Sequence, residues 1–124
     1  MTTNSNKRPH GRGPVVYLNR IRKAQMIEAI ISDYRNAPIE NKRILDIGCG
    51  NGDISSYFGE KNNQFGVDVS DRRKDSNSNF VFKQVDSEAL PFEDNAVDIV
   101  ITHHVIEQVS SHDKHIEEIK RVLK

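Results

Sequence analysis

Apolar residues change their spacing along this chain, and each change marks a new element. Between Tyr17 and Tyr34, the residues Leu18, Ile21, Met26, Ile27, Ile30 and Ile31 fall roughly on one face of a helix, with Arg20, Arg22, Lys23 and Glu28 mostly outside it. Asn36-Ala37-Pro38 ends that helix. Lys42 to Ile47 then reads as a buried strand, followed by glycines at alternate positions, Gly48, Gly50 and Gly52. Helical spacing resumes with Ile54, Tyr57 and Phe58, in a helix from about Asp53 that stops at Gly59. Gln64 to Val69 predicts a second strand, Phe80 to Val85 a third and Ala96 to Thr102 a fourth. Asp71 to Asn79 holds no apolar residue and predicts a loop or a single ragged turn. Ser87 to Leu90 predicts one helical turn, stopped by Pro91. A last helix begins near Ser110, with Ile116, Ile119, Val122 and Leu123 as its buried stripe.

Strands that alternate with helices and loops imply an α/β fold with a mostly parallel sheet and right-handed crossovers. A chain of 124 residues suits one domain. Met1 to Pro14 is polar and rich in Pro and Gly, so residues 1–16 read as a flexible arm before a domain over 17–124.

Charge narrows the partners. Lys plus Arg equals Asp plus Glu at 18 each, so no net charge argues for nucleic acid or an acidic membrane face. No apolar run approaches the ~18 residues of a membrane span, and the N-terminus has no secretory core. Cys49 is the sole cysteine, which excludes an internal disulfide and fits a reducing, cytoplasmic setting.

Strand, glycine turn and helix together form the geometry of a nucleotide-binding crevice. The spacing is G-x-G-x-G, not the G-x-G-x-x-G that holds a dinucleotide pyrophosphate, so the reading moves from NAD towards S-adenosylmethionine. Asp46, Asp68 and Asp86 all stand at predicted strand C-termini, where ligands bind in open α/β sheets. Asp68 lies about 20 residues beyond the turn, where an acid can accept hydrogen bonds from both ribose hydroxyls. Asp46 either faces the cationic end of the ligand or pairs with Lys42 or Arg43. Asp53 reads as the cap of the following helix, and Cys49 as a small packing residue. His112 and His115 look solvated, and the histidines form no metal-like constellation, so no metal site is expected.

Four segments, in order and at the same spacings, resemble the class I S-adenosylmethionine-dependent methyltransferases, in particular the small-molecule branch that includes ubiquinone and menaquinone biosynthesis enzymes. They are Leu45 to Gly52, Gly66 to Ser70, Asp86 to Phe92, and Asp98-Ile99-Val100 leading into His103-His104-Val105. The resemblance implies a Rossmann-like open sheet, cut to about four strands in the order 3-2-1-4 with flanking helices. It implies S-adenosyl-L-methionine as cofactor and a small-molecule methyl acceptor. Gly48, Cys49, Gly50, Asn51 and Gly52 would line the methionine and ribose, with Asp46 holding the amino group. Asp68, followed by Val69, would hold the ribose. Asp86 would accept from the adenine amino group while the Ser87 backbone reads the ring edge. Thr102 and His103 would border the sulfonium. His103 and His104 are candidate general bases, but the preferred reading is that one only contacts the cofactor and the other packs against the last helix.

The family sheet has seven strands, and these segments cover the first four. The chain therefore reads as the cofactor-binding half, either a fragment, one member of a pair in which a second copy or partner chain covers the fourth strand, or a non-catalytic interaction module. A dinucleotide-dependent oxidoreductase is disfavoured by the glycine spacing and by Asp86-Ser87.

Overall fold

The computed structural model describes residues 14–73, 79–102 and 111–124. In chain order the elements are α1 (Pro14–Arg35), β1 (Arg43–Ile47), α2 (Asp53–Gly59), β2 (Asn63–Asp68), β3 (Val81–Gln84), β4 (Ile99–Thr102) and α3 (His112–Val122). The four strands are all parallel and lie in the order β3-β2-β1-β4. The predicted α/β class and strand order are thus present.

Residue alternation along the strands divides the core into two layers. Ile44 of β1 and Ile99 and Ile101 of β4 face α1 and α2, where they meet Ala24, Ile54 and Phe58. Leu45 and Ile47 of β1 and Val67 of β2 face the other way, onto Leu90, Val97 and Val122. Burial on both faces explains the near-continuous apolar runs. Register is set by paired ends: Ile47 of β1 lies beside Val67 and Thr102, so all the strands finish at one edge. The chain runs outward from β1 through β2 to β3, then returns to the other side as β4. That reversal places a switch point beside β1 at the strand C-termini.

Several expectations are corrected. On α1, Ala24, Ile27 and Ile31 make the contact with the sheet layer, whereas Met26 (60% exposed), Ile30 (61%) and Tyr34 (90%) face outward. Leu18 lies outside the described side chains. β4 is shorter than expected because Ala96 and Val97 leave the sheet and donate both N–H groups to Val122 Oof α3, at 2.7 and 2.9 Å. The helical turn at Ser87–Leu90 is an irregular bend. The α3 cap is Ser111, whose hydroxyl accepts from the Lys114 N–H, and Ile116 is exposed rather than buried. Among the described residues, no helix is long and apolar enough to cross a membrane. The outer edge of β4 has no paired strand among the described residues.

Candidate functional site

The turn after β1 is tied to the neighbouring strand from below. Gly48 and Cys49 N–H groups both donate to Val67 O, at 2.8 and 3.1 Å, and the Gly52 N–H closes the turn on Cys49 O at 2.9 Å. Gly48, Gly50 and Gly52 all have positive φ, at 78°, 56° and 87°. Two of them serve different ends. A Cβ on Gly50 would meet nothing within 4 Å, so the backbone there lines open space. A Cβ on Gly52 would come within 2.7 Å of the Phe80 ring. We therefore expect Gly52→Ala to cost roughly 3 kcal/mol of folding stability, from backbone strain plus overpacking. Gly50→Ala should cost only about 1 kcal/mol, from strain alone. Urea unfolding of the two variants checks the pair, and equal losses would contradict this geometry.

Asp68 ends β2 with its carboxylate aimed at the turn. Its Oδ2 accepts from the Gly50 N–H at 2.9 Å, and its Oδ1 accepts from the Val69 N–H at 2.7 Å. Arg72, one helical turn of sequence onward, reaches the same Oδ2 at 3.3 Å with a largely exposed side chain. The carboxylate is 7% exposed, so this acid is held rather than solvated.

Asp46 lies one strand over and is 3% exposed. The hydroxyl of fully buried Ser55 on α2 donates to its Oδ2 at 2.9 Å. Burial pushes the Asp46 carboxyl up to about 7; the Ser55 hydrogen bond opposes this, and the like charge of Asp68 adds to it. Neither Lys42 nor Arg43 pairs with it. Arg43 points to the opposite face, donating to Ala96 O at 2.7 Å and covering the Phe65 ring.

Cys49 is buried beneath the turn, and a Cβ on Gly66 would lie 2.9 Å from its sulfur. Burial, with the negative charges of Asp46 and Asp68 next, pushes this thiol up to about 12, so it packs and does not react. Asp53 is not the helix cap. Gly52 occupies that position, and Asn51 Oδ1 accepts from the Asp53 N–H at 3.2 Å. Asp53 faces Arg20 of α1 at 3.8 Å instead.

A cleft of about 740 Å³ opens past the end of β2, walled by Val69, Gln84, Asp86, Ser87, Leu90 and Pro91. Asp86, Ser87 and the apolar Val69 are exposed there. Thr102 ends β4 at the same edge, and its hydroxyl lies 3.3 Å from His115 Nε2. His115 is buried, not solvated: it shares the inward face of α3 with Ile119 and Val122. His103 and His104 lie outside the described residues. Among the described residues, no group of His, Cys, Asp and Glu side chains could hold a metal ion.

Sequence reasoning missed Ser55, Phe80 and His115. Ser55 is one small polar residue in a helix and carries no marker of its partner. Phe80 reads as the start of the third strand but lies just before β3, and nothing in the linear order places its ring against the glycine turn. Arg72 was legible in principle, as a base four residues after an acid.

Comparison with known proteins finds that the sequence profile described as "Methyltransferase domain" matches residues 45–124. The ubiquinone/menaquinone biosynthesis C-methyltransferase UbiE of Vibrio cholerae is 33% identical over 97 residues, covering 67% of this chain and 37% of that protein. A fatty-acid O-methyltransferase of Mycolicibacterium smegmatis is 30% identical over 108 residues, covering 79% of this chain and 39% of its own length. A crystal structure titled as a putative methyltransferase from an antibiotic biosynthesis pathway of Anabaena variabilis superposes with a TM-score of 0.67 at 24% identity, covering 80% of this chain and 41% of that one. The chain thus spans less than half the length of these relatives.

Proposed function

The chain belongs to the methyltransferase-domain family, and from that premise we propose that it binds S-adenosyl-L-methionine at the C-terminal edge of its sheet and serves methyl transfer to a small-molecule acceptor. One observation carries the reading: the Asp68 carboxylate reaches over the open backbone at Gly50, where a side chain would have room and none is present. Oδ1 keeps a lone pair beyond the Val69 N–H, and Oδ2 offers a second to a ribose hydroxyl when the largely exposed Arg72 gives up its place there.

In this reading Gly48, Cys49, Gly50, Asn51 and Gly52 present backbone to the methionine and ribose. Asp46 faces the amino group, Val69 lies against the base, and Asp86 and Ser87 read its edge. Thr102 borders the reacting end, together with His103, which lies outside the described residues. When bound, the cofactor supplies an activated methyl group on a sulfonium. The chain's own residues align it, keep its charged end beside Asp46 and exclude water along Val69 and Leu90. The UbiE and fatty-acid relatives act on different atoms, carbon and oxygen by their names. They support a small organic acceptor without selecting one.

Isothermal titration calorimetry tests the proposal. S-adenosylhomocysteine should bind the folded chain with saturable heat, and NADH should not. A folded sample silent towards S-adenosylhomocysteine would overturn it. The outer edge of β4, which pairs with no strand among the described residues, supports a second reading, a methyltransferase-like module that docks a second copy or partner chain. A complex on sizing chromatography that forms regardless of cofactor, together with a silent titration, would favour that reading.

A further inference from the structure

Arg121 lies on α3, outside the four sequence segments that mark the cofactor site, yet all five of its guanidinium N–H groups are engaged, two of them by the main chain of the segment Asp86 to Phe92. Nε donates to Glu118 Oε2 at 2.7 Å, and Nη2 donates to Glu118 Oε1 at 3.0 Å. The other Nη2 hydrogen reaches Leu90 O at 3.0 Å. Nη1 donates to Phe92 O and to Asp94 Oδ1, both at 2.9 Å. Glu118 closes the ring by accepting the Leu90 N–H on Oε1 at 2.8 Å. Both main-chain groups of Leu90 are therefore held by one bidentate ion pair. The Arg121 side chain is only one-third exposed, and Glu118 less.

Leu90 is the pivot between two environments. Its side chain is buried among Leu45, Val67 and Val122. Its neighbours Ser87, Ala89 and Pro91 wall the cleft past the end of β2. The bend 86–91 has no helical or strand hydrogen bonding of its own to hold it. It is tied at one end through Val85, whose N–H donates to Asp68 O at 2.9 Å, and at the other by the buried Leu90 side chain, the Phe92 N–H on Leu90 O at 2.8 Å and the Arg121–Glu118 pair. A point charge on a lysine stem could not reproduce this, because the carbonyls of Leu90 and Phe92 and two carboxylates need a planar fork.

We propose that Arg121 and Glu118 are positioning residues that set the adenine-facing wall of the cofactor cleft, through the peptide groups of Leu90, without touching the ligand. The inference rests on the cofactor reading above. It makes adenine recognition depend on two α3 side chains on the far side of the loop.

The test compares S-adenosylhomocysteine with its inosine counterpart, in which the adenine amino group is replaced by a carbonyl oxygen. In the unaltered chain the adenine form should bind more tightly. Arg121→Gln should weaken S-adenosylhomocysteine about tenfold, since it removes charge-assisted hydrogen bonds that fix the wall. The inosine form should weaken about twofold or less, because it gains little from the wall. Arg121→Lys should behave like Arg121→Gln, and hydrogen exchange at the Leu90 amide should accelerate in both. A purely structural role would weaken both ligands equally, and that result overturns the inference while leaving the cofactor reading intact. Failure of the unaltered chain to bind S-adenosylhomocysteine overturns the cofactor reading itself, and this inference with it. If Arg121→Gln does not fold, Glu118→Gln, which keeps one acceptor for Leu90, should give the same selective loss at smaller size.

Discussion

Asp68→Ala is expected to weaken S-adenosylhomocysteine binding by about a hundredfold or more, while costing about 1–3 kcal/mol of folding stability through the Gly50 and Val69 N–H groups left without their acceptor. Two hydrogen bonds from ribose hydroxyls to one carboxylate are each worth about 1.5–3 kcal/mol, and every 1.4 kcal/mol is tenfold in affinity. The variant also removes the acceptor that holds the Gly50 N–H at 2.9 Å, so the turn loses a tether at the point where the ligand arrives. Arg72 loses its partner at the same time, but its exposed guanidinium is simply hydrated. Asp68→Asn should recover only part of the loss, because an amide offers one acceptor oxygen. Titration calorimetry with circular dichroism separates the effects. A folded Asp68→Ala chain with unaltered affinity would remove the ribose role.

The second large effect concerns pH. The Asp46 carboxyl is raised from 3.8 to about 7 in the folded chain, chiefly by burial. The native state therefore holds this proton more tightly than the unfolded state does. Its contribution to stability is fully present below about pH 4 and is lost as pH rises through 7. Each tenfold in proton affinity corresponds to about 1.4 kcal/mol, so this one group should make the chain on the order of 3 kcal/mol less stable at pH 8 than at pH 4. Asp46→Asn keeps the Ser55 contact and removes the titration, so its stability should be flatter with pH by that amount. Urea midpoints of both chains between pH 4 and 8 measure the difference. Ligand binding should run the opposite way. An ammonium beside Asp46 favours the ionised form, so affinity should rise as pH passes 7 in the unaltered chain and stay level in Asp46→Asn. Parallel profiles for the two chains would show that Asp46 does not titrate in this range.

The part of the fold nearest the site was the most legible. A strand buried on both faces, a turn that needs positive φ and a short helix leave compositional marks, and the register of Asp68 follows from the spacing of the second strand. What failed was the phase of the outer helices. On α1, counting apolar residues selected Met26 and Ile30, but the contact is made by Ala24, a small residue that lets the helix approach, with Ile27 and Ile31 beside it. On α3 the inward face follows His115, Ile119 and Val122, and Ile116 is turned about 100° away from it. A histidine can sit inward because the Thr102 hydroxyl meets it. The sequence from Ser87 to Leu90 predicts one helical turn stopped by Pro91, but the structure has an irregular bend there. Its backbone is claimed instead by Glu118 and Arg121, 28 and 31 residues from Leu90, and local pattern carries no trace of such a partner. Asp46 and Asp68 stand at strand ends as the sequence predicts, whereas Asp86 lies two residues beyond β3 in the bend, and the contrast between sealed Asp46, held Asp68 and exposed Asp86 appears only once the strands are stacked.

The most direct measurement is a crystal structure of the chain grown with S-adenosylhomocysteine. The account predicts both ribose hydroxyls within hydrogen-bond distance of the Asp68 carboxylate, the backbone of Gly50 against the sugar, and the base along the wall from Asp86 to Leu90. A nucleoside bound elsewhere, with the glycine turn bare and Asp68 still paired only to the protein, would contradict it.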